Sequence, residues 1–170
     1  MSSDLAGDVA GVTMPDSVPA AGKMLRLNGM GVRTKWFFKV YVAGLYLERP
    51  TRAADVAVGS EQVKRMDLRL LRGLSRSQIT EAIDEGFAKN SGPRMGALRA
   101  RLDRLNGMIP NLQAKDEILL TYVPGRGTVV TVRGVEKGVI EGKDFADALF
   151  SVWLGASPVQ DDLKRDLLRG

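Results

Sequence analysis

The chain has 170 residues, with no cysteine and no histidine. That length fits about one domain with a core of its own. The two missing residue types exclude disulfides, thiolate and imidazole metal sites, thiol nucleophiles and a Ser-His-Asp triad. No metal site and no cofactor is expected, so any chemistry falls to Arg, Lys, Tyr, Asp, Glu, Ser or Thr. At 44% hydrophobic and 26% charged residues the chain is an ordinary globule rather than a disordered one. The net charge of +5 is unevenly spread. Residues 1–22 are acidic, residues 23–110 carry 17 basic against 8 acidic side chains, and the remainder is near neutral. The basic middle part has no run of five like charges and no aromatic-interleaved or zinc motif. It reads as solvated faces, and no nucleic-acid partner is expected. No stretch approaches 18 apolar residues, so no integral membrane segment is expected.

Residues 1–8 are expected to be disordered or added in cloning, with a single domain over residues 9–170. Val9–Val12 reads as a short strand and Met14-Pro15-Asp16-Ser17 as a turn. Met24–Leu27 alternate, and Asn28-Gly29-Met30-Gly31 reads as a tight turn. Trp36–Leu47 is aromatic and β-branched on both parities, which predicts a long central strand buried on both faces. A short helix over Arg52–Val58 precedes an alternating strand, Val63–Leu71, with Met66, Leu68 and Leu70 on one face. Ser75-x-x-Gln78 is a capping box opening a helix to Asn90, with Ile79, Ile83 and Phe87 as its apolar stripe. Ser91-Gly92-Pro93 breaks it, and a second helix runs to about Gly107. Pro124-Gly125-Arg126-Gly127 joins strands Glu117–Val123 and Thr128–Arg133, and Val139-Ile140 adds a third short strand. Lys143–Leu154 and a segment from Ser157 to about Leu168 read as helices. This order predicts an α+β fold, an antiparallel sheet with helices on one face.

Two segments carry a family resemblance. Leu27-Asn28-Gly29-Met30-Gly31-Val32-Arg33 with Phe38–Glu48, and Gly142–Gly155 with Ser157-Pro158-Val159, resemble the two signatures of the chalcone isomerase family, closest in style to its bacterial chalcone-isomerase-like branch. The resemblance covers residues 9–168. It implies an open-faced β-sandwich, in which helices cover a large antiparallel sheet over a ligand cleft. The family includes plant isomerases and fatty-acid-binding proteins. The resemblance places the family's cleft arginine, which binds a substrate oxygen or a fatty-acid carboxylate, at Arg33. It puts Tyr41 where the isomerases carry a catalytic threonine. Their helix tyrosine and asparagine fall at Ile79 and Gly86, and a residue that tunes substrate preference falls near Trp153.

Without the resemblance, the same residues leave two readings open. A guanidinium in apolar surroundings needs a partner. For Arg33 that is either an internal carbonyl or carboxylate, or a ligand oxyanion. Tyr41 and Lys39 share its strand parity, so the three face one cleft if no bulge intervenes. The expected ligand-binding set is Arg33, Tyr41, Lys39, Phe37, Ile79, Ile83 and Trp153. The expected function is a non-catalytic binder of a small anionic, fatty-acid-like amphiphile. The alternatives are a chalcone–flavanone isomerase using Arg33 and Tyr41, and a protein-interaction or accessory module. A monomer is expected. The expected location is periplasmic or secreted if an export signal has been removed from this chain, and otherwise cytoplasmic.

Overall fold

The structure, a computed structural model, describes residues 7–170. The expectation for residues 1–6 lies outside the described residues. Asp8 is ordered: β1 (Asp8–Val9) pairs with β2 (Val12–Thr13) in a small hairpin.

Seven further strands form one antiparallel sheet in strict chain order. They are β3 (Ser17–Ala20), β4 (Lys23–Lys35), β5 (Phe38–Leu47), β6 (Lys64–Leu70), β7 (Glu117–Val123), β8 (Gly127–Val132) and β9 (Val135–Ile140). Helix α1 (Ala54–Gly59) lies between β5 and β6. Helices α2 (Arg76–Ser91) and α3 (Met95–Gly107) lie between β6 and β7, and α4 (Lys143–Leu154) and α5 (Asp161–Leu167) close the chain. Ser75 caps α2 as predicted, with both arms of the capping box formed at 3.1 and 2.9 Å. The α+β, open-faced architecture is therefore the one the sequence implied.

One side of the sheet is the main core. Leu45, Met66, Leu68, Leu120 and Val130 meet Phe87, Leu102, Phe145, Leu149 and Trp153 from the helices. The other side is covered near β4–β6 by the N-terminal segment, where Met14, Leu25, Val42 and Tyr46 form a smaller cluster. Tyr46 donates its hydroxyl to the Pro15 carbonyl at 2.7 Å.

Val9–Val12 is not one strand but the β1–β2 hairpin, with Val9 paired to Val12 and the turn at Ala10-Gly11. Two further predicted features differ. Asn28–Gly31 is not a turn but the middle of β4, a 13-residue strand. The turn lies at Trp36-Phe37, between the paired residues Lys35 and Phe38. The glycines are there for another reason. A Cβ on Gly29 would stand 2.2 Å from the Asp166 carbonyl oxygen, and one on Gly31 would stand 2.9 Å from Leu163 Cδ1. Helix α5 thus rests directly on a backbone stripped of side chains. Asn28 locks it there: its Nδ2 donates to the Leu167 carbonyl at 2.8 Å, and its Oδ1 accepts from Thr51 N–H at 2.8 Å. Second, β5 is buried on both faces only from Val42 to Leu47. Its first residues and the turn are exposed, and Trp36 takes φ 58°. That left-handed conformation is natural for glycine and costs a bulky residue about 1–3 kcal/mol.

Lys64, at the start of β6, is fully buried. Its Nζ donates to the carbonyls of Ala57, Val58 and Ser60, closing the C-terminal end of α1. The rings of Tyr122 and Phe150 stand about it at 5.5 and 5.4 Å. Burial lowers its pKa to about 8.

Candidate functional site

Between the sheet and α2 lies a cavity of about 300 Å³, at the small end of ligand-site sizes. Leu68, Leu70, Ile118 and Leu120 form its floor, since these are the helix-facing positions of β6 and β7. Ile79, Ala82, Ile83 and Gly86 form its roof, spaced so that one face of α2 turns inward. Trp153 and Val152 of α4 close one side.

Arg33 and Tyr41 meet in this cavity because they are directly opposed across the β4–β5 ladder. Arg33 Nη1 donates to the carbonyls of Thr34 at 3.1 Å and Val159 at 3.3 Å, and to Gln160 Oε1 at 3.3 Å. All three partners are neutral. Nε and Nη2 have no hydrogen-bond partner, and no carboxylate lies within ion-pair distance, among the described residues. Gln160 itself is fixed, accepting from Thr34 N–H at 2.9 Å and donating to the Val32 carbonyl at 3.1 Å. A glutamine without a motif around it gives no sequence signal, and it becomes visible only when the α4–α5 loop folds back on β4.

Trp153 Nε1 donates to the Tyr41 hydroxyl oxygen at 2.9 Å. The Tyr41 O–H hydrogen then has no acceptor among the described residues, so it is a donor held in place and unspent. Burial raises the Tyr41 pKa above its ordinary value, while the Trp153 hydrogen bond and the Arg33 charge act the other way. Tyr41 therefore stays protonated near neutrality.

Five of the seven expected residues line the cavity: Arg33, Tyr41, Ile79, Ile83 and Trp153. Lys39 and Phe37 do not. A bulge shifts the register between Arg33 and Thr34, so that Thr34 opposes Lys39 and Val40 becomes the extra residue on β5. Val40 lines the cavity, Lys39 is left exposed, and Phe37 sits at the hairpin tip. Lys35 takes the lining position foreseen for Lys39.

Gly86 also has a packing role. A Cβ there would meet Val152 Cγ1 at 2.7 Å, and Val152 is a buried, β-branched residue with little freedom to yield. Gly86→Asn is expected to destabilise the protein by about 1–3 kcal/mol. A second change, Val152→Ala, should recover part of that loss, and urea unfolding of the three variants measures both effects. Additive losses would show that the two sites do not touch.

A family model described as chalcone isomerase-like matches residues 6–169. The chain belongs to the chalcone isomerase-like family. Among solved structures, it is similar to a fatty-acid binding protein from Arabidopsis thaliana, with a TM-score of 0.75 and 18% identity over 94% of this chain and 93% of that one. At that identity the likeness is one of fold. No curated protein matches the chain.

Proposed function

We propose that the protein binds a small anionic amphiphile, a fatty acid or a similar acid, in this cavity and does not transform it. The observation that carries the reading is the pairing of Arg33, whose partners are all neutral, with Tyr41, whose hydroxyl hydrogen is unspent, beside apolar walls. A guanidinium and a phenol side by side suit a carboxylate, which accepts from both. The floor of leucines and isoleucines suits an alkyl or aromatic body, at about 0.8 kcal/mol for each methylene buried. The structural neighbour is named a fatty-acid binding protein, which agrees with this ligand class. Isomerisation would need polar groups about the developing enolate. The two positions where the resembled isomerases carry a tyrosine and an asparagine hold Ile79 and Gly86 here, and both line the cavity.

Titration with a fluorescent fatty acid tests the reading. A charge-assisted pair contributes about 1.5–3 kcal/mol, so Arg33→Ala is expected to weaken binding about tenfold or more. Tyr41→Phe should weaken it less, by about two- to tenfold. Equal affinity in wild type and Arg33→Ala overturns the site. A chalcone substrate is expected to disappear no faster with the protein than without it, and saturable, Arg33-dependent turnover would overturn the non-catalytic reading.

A further inference from the structure

The β4–β5 hairpin ends in three consecutive aromatic residues turned to solvent: Trp36 is 87% exposed, Phe37 98% and Phe38 51%. Isolated exposed apolar residues need no explanation, but a contiguous aromatic tip does. The fold does not ask for these residues. The turn puts Trp36 at φ 58°, where glycine would be at ease, so a strained tryptophan stands at an exposed position. Strain of this kind points toward function.

The tip is also one-signed. From Lys23 to Leu47 the two strands and their turn carry five basic residues and no acidic one. Arg72 adds a sixth cation, its guanidinium 4.0 Å from the centre of the Phe38 ring. Among the described residues, Lys35, Lys39 and Arg72 have no carboxylate within ion-pair distance. The acids that share the cavity with this hairpin are Glu81 and Glu85, both on α2, and Glu85 is paired with Lys89 at 3.0 Å.

We propose that the Trp36–Phe38 tip docks on the surface of an anionic lipid bilayer, its rings at the headgroup boundary and Lys35, Lys39 and Arg72 against the phosphates. Amphipathic aromatic rings favour that boundary, and flanking Lys and Arg are drawn to anionic headgroups. Unpaired cations around exposed rings favour a lipid surface over an apolar protein groove. No helix among the described residues is long and apolar enough to cross a membrane, and the contact proposed for the tip is a peripheral one. The strands of the same hairpin supply Arg33, Lys35, Val40 and Tyr41 to the cavity wall, so docking brings the cavity close to the bilayer. The proposal does not depend on what the cavity holds.

The chain has two tryptophans. Trp153 is buried and lines the cavity, whereas Trp36 is exposed, so the part of the fluorescence change on adding vesicles that Trp36→Phe removes reports Trp36. With vesicles of equimolar phosphatidylcholine and phosphatidylglycerol, the emission should shift to the blue and be quenched by brominated acyl chains. Binding should be at least about tenfold weaker to pure phosphatidylcholine, and should weaken as salt is raised. Trp36→Gly carries opposite signs. Because it also removes the reporter, its vesicle binding is read by co-sedimentation with the same vesicles, alongside the wild type; it should weaken binding about tenfold or more, yet raise Tm by about 2–4 °C by relieving the turn. Lys39→Glu should weaken binding without altering Tm. No quenching of the wild type by anionic vesicles overturns the proposal, as does equal binding by Trp36→Gly. Concentration-dependent dimerisation that Trp36→Gly abolishes, without vesicle binding, assigns the tip to a second copy and equally overturns it. No fatty acid enters this experiment, so its failure is distinct from a failure of the ligand reading.

Discussion

Gly29→Ala is expected to cost about 3 kcal/mol or more and to weaken ligand binding as well. The added Cβ would stand 2.2 Å from the Asp166 carbonyl oxygen and 2.7 Å from that of Leu167. Both atoms belong to backbone, and a helix carbonyl cannot rotate aside as a side chain can. Helix α5 must lift from β4, and the Asn28 hydrogen bond to the Leu167 carbonyl stretches with it. Leaving those buried polar groups poorly paired adds to the loss. The helix is preceded by Val159 and Gln160, which hold Arg33 Nη1. Once α5 lifts, the guanidinium loses its fixed orientation and the proposed anion site its preorganisation. Urea unfolding measures the first effect and fatty-acid titration the second. Gly96→Ala is the control. It lies within α3 with nothing near its would-be Cβ, so it should be neutral or stabilising by up to about 1 kcal/mol. A Gly29→Ala protein as stable as the Gly96→Ala control would show that α5 does not rest on β4 as described.

The second large effect is one of pH. Asp67, on the face of β6 away from the helices, is buried. Its carboxylate lies 3.2 Å from Arg69, which also meets Glu117 at 3.1 Å. Burial, and then the charge of Glu117, push the Asp67 pKa up to about 7, against the opposing pull of Arg69. Two carboxylates share one guanidinium, and the more buried one keeps its proton. Tyr46, pushed upward mainly by its own burial, and Arg65, lowered by burial, face the same cluster. Between the unfolded value of 3.8 and about 7, the native state holds a proton that the unfolded chain has released. Stability therefore falls as pH rises through that window and levels off above it. Asp67→Asn cannot lose that proton. It should match the wild type near pH 4 and exceed it near pH 8 by about 2–4 kcal/mol, the attraction of Arg69 being already contained in that shift. Tm measured across that range for both proteins is the check, and parallel curves would show that Asp67 is ionised throughout.

The elements whose causes are local were legible in the residues. The Ser75–Gln78 capping box set the start of α2, Pro124–Gly127 set the β7–β8 turn, and alternation set which side of β6 meets the helices. The inward face of α2, with Ile79 and Ile83, followed from its period. Arg33 and Tyr41 were expected together from shared strand parity, but they meet because the hairpin turning at Trp36-Phe37 sets them opposite each other. What failed depended on distant chain. Asn28-Gly29-Met30-Gly31 has a turn's composition, but the reason for its glycines is a helix more than 130 residues further on. The bulge after Arg33 removed Lys39 and Phe37 from the cavity and put Lys35 and Val40 there. Side-chain parity predicts orientation only while the register is regular. The partners that decide the chemistry, Gln160 on the guanidinium and the Trp153 indole on the Tyr41 oxygen, lie more than 110 residues from the groups they hold. The sequence by itself determined the sheet, the helices and an arginine beside an apolar surface, since propensity, capping and periodicity act over a few residues. Only the tertiary structure decided that the arginine has neutral partners and the tyrosine a free donor, because hydrogen-bond satisfaction depends on which backbone and side chains the fold brings within 3 Å.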